Sequence, residues 1–139
     1  MWRDPRLRGL SNDHHQALVL ASQLIRARTP EQQQEALDAL VARFEPELEP
    51  HFVVEEEMLL EPLRAHGELA LIQRTEEDHA FLREGAARAK AGKSIDVKAY
   101  GERLRDHVRF EERELFERCQ ELFPDEILDA VWERAPKLD

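Results

Sequence analysis

The stretch His51-Phe52-Val53-Val54-Glu55 decides the fold of this 139-residue chain. A histidine and a glutamate four residues apart lie on one side of a helix, about one turn from each other. The same helical face continues through Leu48 and Leu59 and is otherwise apolar. Because burying an ionisable group costs free energy unless it is paired, this stretch predicts a partner for both side chains inside the protein.

Similar groups interrupt three other apolar faces along the chain. The stretch His107-Val108-Arg109-Phe110-Glu111 repeats the pair, and His79 lies alone near the middle of its own apolar face. Near the N-terminus, helical periodicity places His14 inside the apolar face and His15 at its edge. We therefore favour His14 as the inward residue and keep His15 as the alternative, since a rotation by one residue would exchange them.

The composition favours helices and excludes several classes of protein. Ala, Leu, Glu and Arg are common, whereas only five glycines and seven prolines interrupt the chain. Twenty basic and thirty acidic residues give a net charge of −10, which would repel a phosphate backbone, so no nucleic-acid partner is expected. No apolar run reaches the roughly 18 residues that a membrane span needs. The single cysteine, Cys119, excludes an internal disulfide. Since the first residues also lack a secretory signal, a cytoplasmic protein is expected.

Apolar periodicity predicts an all-α fold, an antiparallel up-down four-helix bundle within one domain of residues 1–139. The bundle core spans about residues 10–123, and no internal repeat is apparent. The predicted helices cover about residues 11–28, 30–66, 68–90 and 95–122, with a short fifth helix at about 125–135.

Several residues predict where these helices begin, bend and end. Residues 1–9 read as an irregular arm, with an N-cap for the first helix among residues 11–13. Thr29 and Pro30 start the second helix, and Gly67 ends it. Ser94 is the expected cap of the fourth helix. Pro46 and Pro50 predict a kink or a short break within the second helix.

Together the four helices offer enough ligands for two metal ions. Each His-x-x-x-Glu pair supplies an imidazole and a carboxylate, and His14 and His79 add two more imidazoles. This mixture of nitrogen and oxygen suits iron, and also manganese or zinc. A lone inward histidine is by itself more often a hydrogen-bonded core residue. The coincidence on all four helices favours a di-metal site.

The neighbours of these residues allow weaker predictions. Helical periodicity turns Glu56 and Glu112 away from the interior, so both read as solvated side chains. Asp13, Asp78 and Asp106 each adjoin a candidate histidine and are candidates for orienting an imidazole. His66 lies at a helix end, where a cation complements the helix dipole, and receives no ligand role.

The pattern of these residues resembles the hemerythrin-like family, also described as the HHE cation-binding domain. The resemblance rests on an early histidine, His51-x-x-x-Glu55, a histidine in the third helix and His107-x-x-x-Glu111, and it extends from about residue 10 to residue 123. It implies a four-helix bundle with two iron ions bridged by carboxylate and oxo groups, in which Glu55 and Glu111 are the bridging carboxylates. The ligand roles that the resemblance implies fall on His14 or His15, His51, Glu55, His79, His107 and Glu111.

Two features depart from the oxygen-carrying hemerythrins. Those proteins have a His-x-x-x-His pair on the third helix, whereas Thr75 and Arg83 flank His79 here. They also have an aspartate five residues after the last histidine, whereas Glu111 follows His107 by four. Glu76 is a candidate substitute for the missing imidazole.

The resemblance therefore implies a protein that binds or reacts with O2 or a related small oxidant, in sensing, redox chemistry or iron handling. Its expected partner is a small diatomic molecule or peroxide, and the sequence names no protein partner. An enzyme that reduces peroxide or nitric oxide and a metal-responsive interaction module are the alternatives. The simplest interpretation that needs no metal is a helical bundle whose buried polar residues form hydrogen bonds with one another.

Overall fold

The computed structural model describes residues 2–135, and every regular element in that range is helical. Its fold is the predicted up-down four-helix bundle with a short fifth helix. We label the elements α1 (Arg8–Arg26), α2 (30–65), α3 (Leu69–Lys90), α4 (97–122) and α5 (Asp125–Arg134). The predicted domain of residues 1–139 extends past this range, so residue 1 and residues 136–139 lie outside the described residues.

Wider π-helical turns interrupt α2 and α4 without breaking them. The π turns are Phe44–Leu48 and Glu56–Leu60 in α2, and Glu111–Leu115 in α4. Between and around them the chain is α-helical, over Pro30–Arg43, Glu49–Glu55, Glu61–Ala65, Val97–Phe110 and Phe116–Leu122. The second helix therefore continues through Pro46 and Pro50, as predicted, and the irregularity there is a π turn and not a break. A π turn includes Pro46, and such a turn lets the helix continue past a residue that lacks an N–H group.

The predicted boundaries at both ends of α2 are confirmed, whereas the predicted cap of α4 is wrong. Thr29 and Gln32 form a capping box at the start of α2, with Pro30 in the first turn. Gly67 follows α2 with a φ of 74°, in the left-handed region that favours glycine. Asp96, and not Ser94, caps α4, since its carboxylate accepts a hydrogen bond from Ala99 N at 3.0 Å.

Residues 5–9 are helical, whereas the sequence predicted an irregular arm there. The Asp4 carboxylate accepts from Arg6 N at 2.9 Å and caps a 3-10 turn at Pro5–Leu7, and α1 follows directly. The predicted cap among residues 11–13 therefore lies inside α1. The reason is burial at one end of the bundle, where Leu7 is fully buried and Arg6 pairs with Asp129 of α5 at 3.0 Å.

The apolar core forms two clusters along the bundle. One cluster contains Leu59 and Phe116 and is covered by α5, while the other contains Leu24 and Tyr100. Each long helix contributes to both clusters, so the residues between the two lie in the middle of the bundle. The helices α1 and α4 approach closely at Gly101, where an added Cβ would lie 2.9 Å from the Ala21 carbonyl oxygen. In the described range, no helix is both long enough and apolar enough to span a membrane.

Candidate metal centre

Six of the seven candidate ligands converge between the two apolar clusters. None of the six is more than 4% exposed. They are His14, His51, Glu55, His79, His107 and Glu111. His15 lies on the surface, so the structure does not bring it to the centre. A helix with an apolar face turns that whole face inward, and the ionisable residues on the face are buried with it.

The six residues form two groups that share both glutamates. His14 and His51 complete one group, and His79 and His107 complete the other. In each group the candidate ligand atoms lie within 4.8 Å of one another. Each group therefore offers two imidazoles and two carboxylates to one cation.

Each glutamate divides its two oxygens between the groups. Glu55 Oε2 lies 3.0 Å from His51 Nε2, and Glu55 Oε1 lies 3.1 Å from His79 Nε2. In the same way, Glu111 Oε1 lies 2.8 Å from His14 Nε2, and Glu111 Oε2 lies 3.1 Å from His107 Nε2. Each carboxylate therefore has one oxygen beside each of the two groups of imidazoles.

Four buried atoms in the cluster have no hydrogen-bond partner within the described part of the chain. They are the Nε2 atoms of His51 and His107 and the Oε2 atoms of Glu55 and Glu111, which face each other in two contacts of 3.0 and 3.1 Å that lack hydrogen-bond geometry. Losing a buried hydrogen bond costs about 1–3 kcal/mol, so the poor geometry of these two contacts needs an explanation. A pair of cations would coordinate all four atoms, and this donor set therefore fits a di-metal centre.

A carboxylate from a neighbouring helix holds the outer nitrogen of every imidazole. Asp13 of α1 lies 2.9 Å from His51 Nδ1 on α2, and Glu56 of α2 lies 2.7 Å from His79 Nδ1 on α3. These contacts fix the tautomer, because an Nδ1–H that donates to a carboxylate leaves the Nε2 lone pair free for a metal.

The same relationship continues around the bundle. Asp78 of α3 lies 2.9 Å from His107 Nδ1 on α4, and Glu112 of α4 lies 2.8 Å from His14 Nδ1 on α1. Each helix thus supports the histidine of the next helix, and the last supports the first. We call these four carboxylates the outer ring.

The sequence predicted only half of this outer ring. Asp13 and Asp78 were candidates, whereas Glu56 and Glu112 were expected to be solvated. Asp106 was a wrong candidate, since it is exposed and pairs with Arg105. Glu56 and Glu112 both lie in π turns that begin at or just after a cluster glutamate. The side chain of each glutamate extends from the flank of its own helix and contacts the histidine of the adjacent helix.

The outer ring also reveals an internal repeat that the sequence analysis missed. The order Asp-His followed by His-x-x-x-Glu-Glu occurs first over Asp13-His14 and residues 51–56. It occurs again over Asp78-His79 and residues 107–112. The hairpin of α1 and α2 is therefore chemically equivalent to the hairpin of α3 and α4. The repeat was hidden because the two connections differ in length.

The carboxylates set the protonation of the metal-free cluster. Burial disfavours the charged ring, yet the surrounding carboxylates, Glu111 first, raise the pKa of His79 to about 11. Against the same burial, the charge of Glu111 and the bond to Asp78 raise the pKa of His107 to about 9. Burial alone would raise the pKa of Glu111, but the imidazoles, His107 first, hold it well below its usual range. A cation that binds here must displace these imidazole protons.

The positions beside His79 do not supply another ligand. Thr75 is fully buried, and its hydroxyl donates to the Leu71 carbonyl oxygen at 2.8 Å. Arg83 pairs with the outer-ring residue Glu56 at 2.7 Å. Glu76, the proposed substitute, is exposed and faces Arg64 at 3.8 Å, so the suggestion that it ligates a metal is wrong.

A four-helix bundle with four imidazoles and two shared carboxylates at its centre defines a class of protein, the helical bundles that hold a cation site between their helices. Residues 7–119 match the family model described as the hemerythrin HHE cation binding domain. The chain therefore belongs to this family, as its resemblance implied. A search of curated proteins and a search of solved structures each found no match to the chain.

Proposed function

We propose that the chain is a non-haem di-iron protein that binds or reacts with O2 or a related small oxidant. Membership of the cation-binding family and the two ligand groups support a metal-binding protein. The observation that carries the di-metal proposal is the division of the oxygens of Glu55 and Glu111. Each glutamate directs one oxygen to an imidazole of the first group and the other to an imidazole of the second.

The donor set suits iron without excluding manganese or zinc, and we propose iron on the resemblance to the hemerythrin family. Imidazole and carboxylate ligands together suit iron, manganese and zinc, whereas the soft thiolate that would favour other sites is absent from both groups. Each group offers four ligand atoms, which leaves coordination positions open for a small molecule. Bound iron would supply the redox chemistry with a small oxidant that amino-acid side chains lack.

The protein's own residues would hold the cations, orient the imidazoles and exclude water. The outer ring keeps each Nδ1 protonated, so that each Nε2 stays available in the centre. The two apolar clusters cover the centre from both ends of the bundle. Phe52 adds to this enclosure, since its ring stacks on His79 with the centroids 4.1 Å apart.

Catalytic reduction of peroxide or nitric oxide is the second candidate function. Thr75 is the observation that favours it, because this buried residue stands beside His79 and contributes no imidazole. With fewer protein ligands, the cations keep more positions for a reactant, and reversible oxygen carriage needs a single controlled position. Steady-state turnover with either reactant separates an enzyme from a carrier or a sensor.

An anaerobic iron titration followed by exposure to O2 tests the main proposal. We expect two ferrous ions per chain and an optical change when O2 is admitted. Parallel titrations with manganese and zinc compare the three metals in the same centre. Uptake of one ion per chain would contradict the di-metal centre, and the absence of iron uptake would contradict the function as a whole.

A further inference from the structure

A cavity of about 210 Å³ lies between α1, the first half of α2 and α4. Its walls are mainly apolar side chains. They are Ala17, Leu20, Leu48, Phe52, Leu104 and Val108, together with Pro46 and Pro50. The π turn Phe44–Leu48 builds one wall, so the irregular part of α2 shapes this space.

The cavity reaches the candidate metal centre. His14, His51, His107 and Glu111 all contribute to its lining. Of the four imidazoles in the centre, the two whose Nε2 atoms lack a hydrogen-bond partner, His51 and His107, are both among them. His79 and Glu55 are not part of the lining. A molecule in this cavity would therefore lie against one side of the centre.

Polar side chains form part of the lining as well. Arg43 of α2 donates to Gln16 of α1 at 2.8 Å and to Glu47 at 3.1 Å. The contact with Gln16 links α2 to α1 beside the cavity. A few polar groups on a largely apolar lining are typical of small-molecule sites, in which the polar groups fix the orientation of a largely apolar ligand.

The size of the cavity exceeds what a diatomic molecule needs. A water molecule has a share of about 30 Å³ in the liquid, and an engineered apolar cavity of about 150 Å³ in another protein binds benzene. The cavity here has roughly seven times the volume of one water. It is large enough for an organic molecule with about six to ten non-hydrogen atoms.

The charges around the cavity favour a neutral occupant. Three carboxylates, Asp13, Glu47 and Glu111, line the cavity together with the guanidinium of Arg43 and the imidazoles of His14, His51 and His107. That guanidinium already pairs with Glu47. Each imidazole likewise contacts a carboxylate, so an anionic ligand would have to displace a carboxylate from its cationic partner, whereas a neutral hydroxyl group can donate or accept a hydrogen bond there.

We propose that the cavity binds a neutral organic molecule of the size of phenol, with its apolar body between Leu20, Leu48 and Leu104 and its hydroxyl group toward His51 and His107. This inference rests on the proposed function only in placing the hydroxyl group beside the cations. Binding itself depends on the cavity, so it can be measured separately from metal content.

Calorimetric titration of the purified full-length protein with phenol tests this proposal, with metal content measured on the same samples. We expect one phenol per chain with a dissociation constant in the millimolar range or below. Glycerol and benzoate serve as probes of similar size, since the first lacks an apolar body and the second is anionic. Both should bind at least tenfold more weakly than phenol.

Filling the cavity should abolish phenol binding without removing the metal. Ala17→Leu should weaken phenol binding at least tenfold, while Val19→Leu on the exposed face of α1 should not. If Ala17→Leu does not fold, as judged by circular dichroism, Leu48→Phe makes the same test from α2. Undiminished binding to a folded, cavity-filled variant would overturn the proposal, as would no phenol binding to the original protein. Protein that binds phenol but no iron would instead refute the proposed di-iron function alone.

Discussion

Asp78 of α3 and His107 of α4 meet across the bundle, with Asp78 Oδ2 lying 2.9 Å from His107 Nδ1. Both side chains are only 1% exposed. A second contact, from Arg103 Nε to Asp78 Oδ1 at 2.8 Å, holds the carboxylate in place. Against burial, His107 and Arg103 lower the pKa of Asp78 to about 2, so the carboxylate is ionised at neutral pH and orients the imidazole.

Replacing Asp78 with asparagine should weaken metal binding without unfolding the bundle. The neutral amide supports the imidazole less well, and losing such an outer partner typically costs about 10–100-fold in metal affinity. Competition with a chelator measures the change. Asp106→Asn is the matched control, since Asp106 adjoins His107 in sequence but lies exposed beside Arg105. Equal losses in the two variants would mean that Asp78 does not act through His107.

The adjacent residues His14 and His15 provide a sharper test of the ligand set. His14→Ala should lower the metal content, because His14 Nε2 lies beside the shared Glu111 at 2.8 Å. His15→Ala should leave the metal content unchanged, because His15 lies on the surface. Elemental analysis of both variants, with His66→Ala as a second surface control, gives the comparison. Metal loss in the His15 variant would mean that His15, and not His14, is the ligand from the first helix.

Sequence periodicity was enough to predict the four helices and the six residues that converge. Each of those residues interrupts an apolar face of its own helix, so the sequence of that one helix is enough to identify it. The roles of Glu56 and Glu112 could not be predicted in this way. Each contacts a histidine of another helix, and nothing within its own helix shows which side chain the neighbour presents.

The π turns and the N-terminal turn escaped prediction for related physical reasons. The predictions used the α-helical period of about 3.6 residues, whereas the π turn at Glu111–Leu115 changes this period at the candidate ligand Glu111. The 3-10 turn Pro5–Leu7 forms because Leu7 is buried against the end of the bundle and Arg6 contacts α5. Those tertiary contacts leave no periodic pattern in so short a segment.

Metal uptake should release protons, and it should strengthen as the pH rises. With the pKa of His107 raised to about 9 and that of His79 to about 11, both rings are protonated at pH 7 in the metal-free protein. A metal binds only the neutral ring, so protons compete with it. Calorimetry in buffers of different ionisation enthalpy counts the protons released. Uptake without proton release would show that the rings are neutral beforehand.

The same shifts predict that the metal-free protein loses stability in alkaline solution. A histidine whose pKa is raised by folding stabilises the folded state fully below its unfolded pKa of about 6.5. For His107 this contribution is lost as the pH rises through about 9, and for His79 as it rises through about 11. Urea denaturation of metal-free protein between pH 7 and pH 10 should therefore show a falling free energy of unfolding. A constant value over this range would contradict the pairing of these imidazoles with the cluster carboxylates.

Gly101 offers a test of the packing that positions α1 against α4. On helix propensity alone, replacing a helical glycine with alanine should stabilise the protein by about 1 kcal/mol. Here an added Cβ would lie 2.9 Å from the Ala21 carbonyl oxygen and 2.9 Å from Leu24 Cβ, so one helix would have to move. Overpacking of this kind typically costs about 1–3 kcal/mol, and Gly101→Ala should therefore lower the free energy of unfolding in urea denaturation. Lys98→Ala, on the exposed face of the same helix, should change it by less than about 0.5 kcal/mol. Because α1 carries His14 and α4 carries Glu111, the Gly101 variant should also bind metal more weakly. A stabilised variant with full metal content would show that the two helices do not pack this closely.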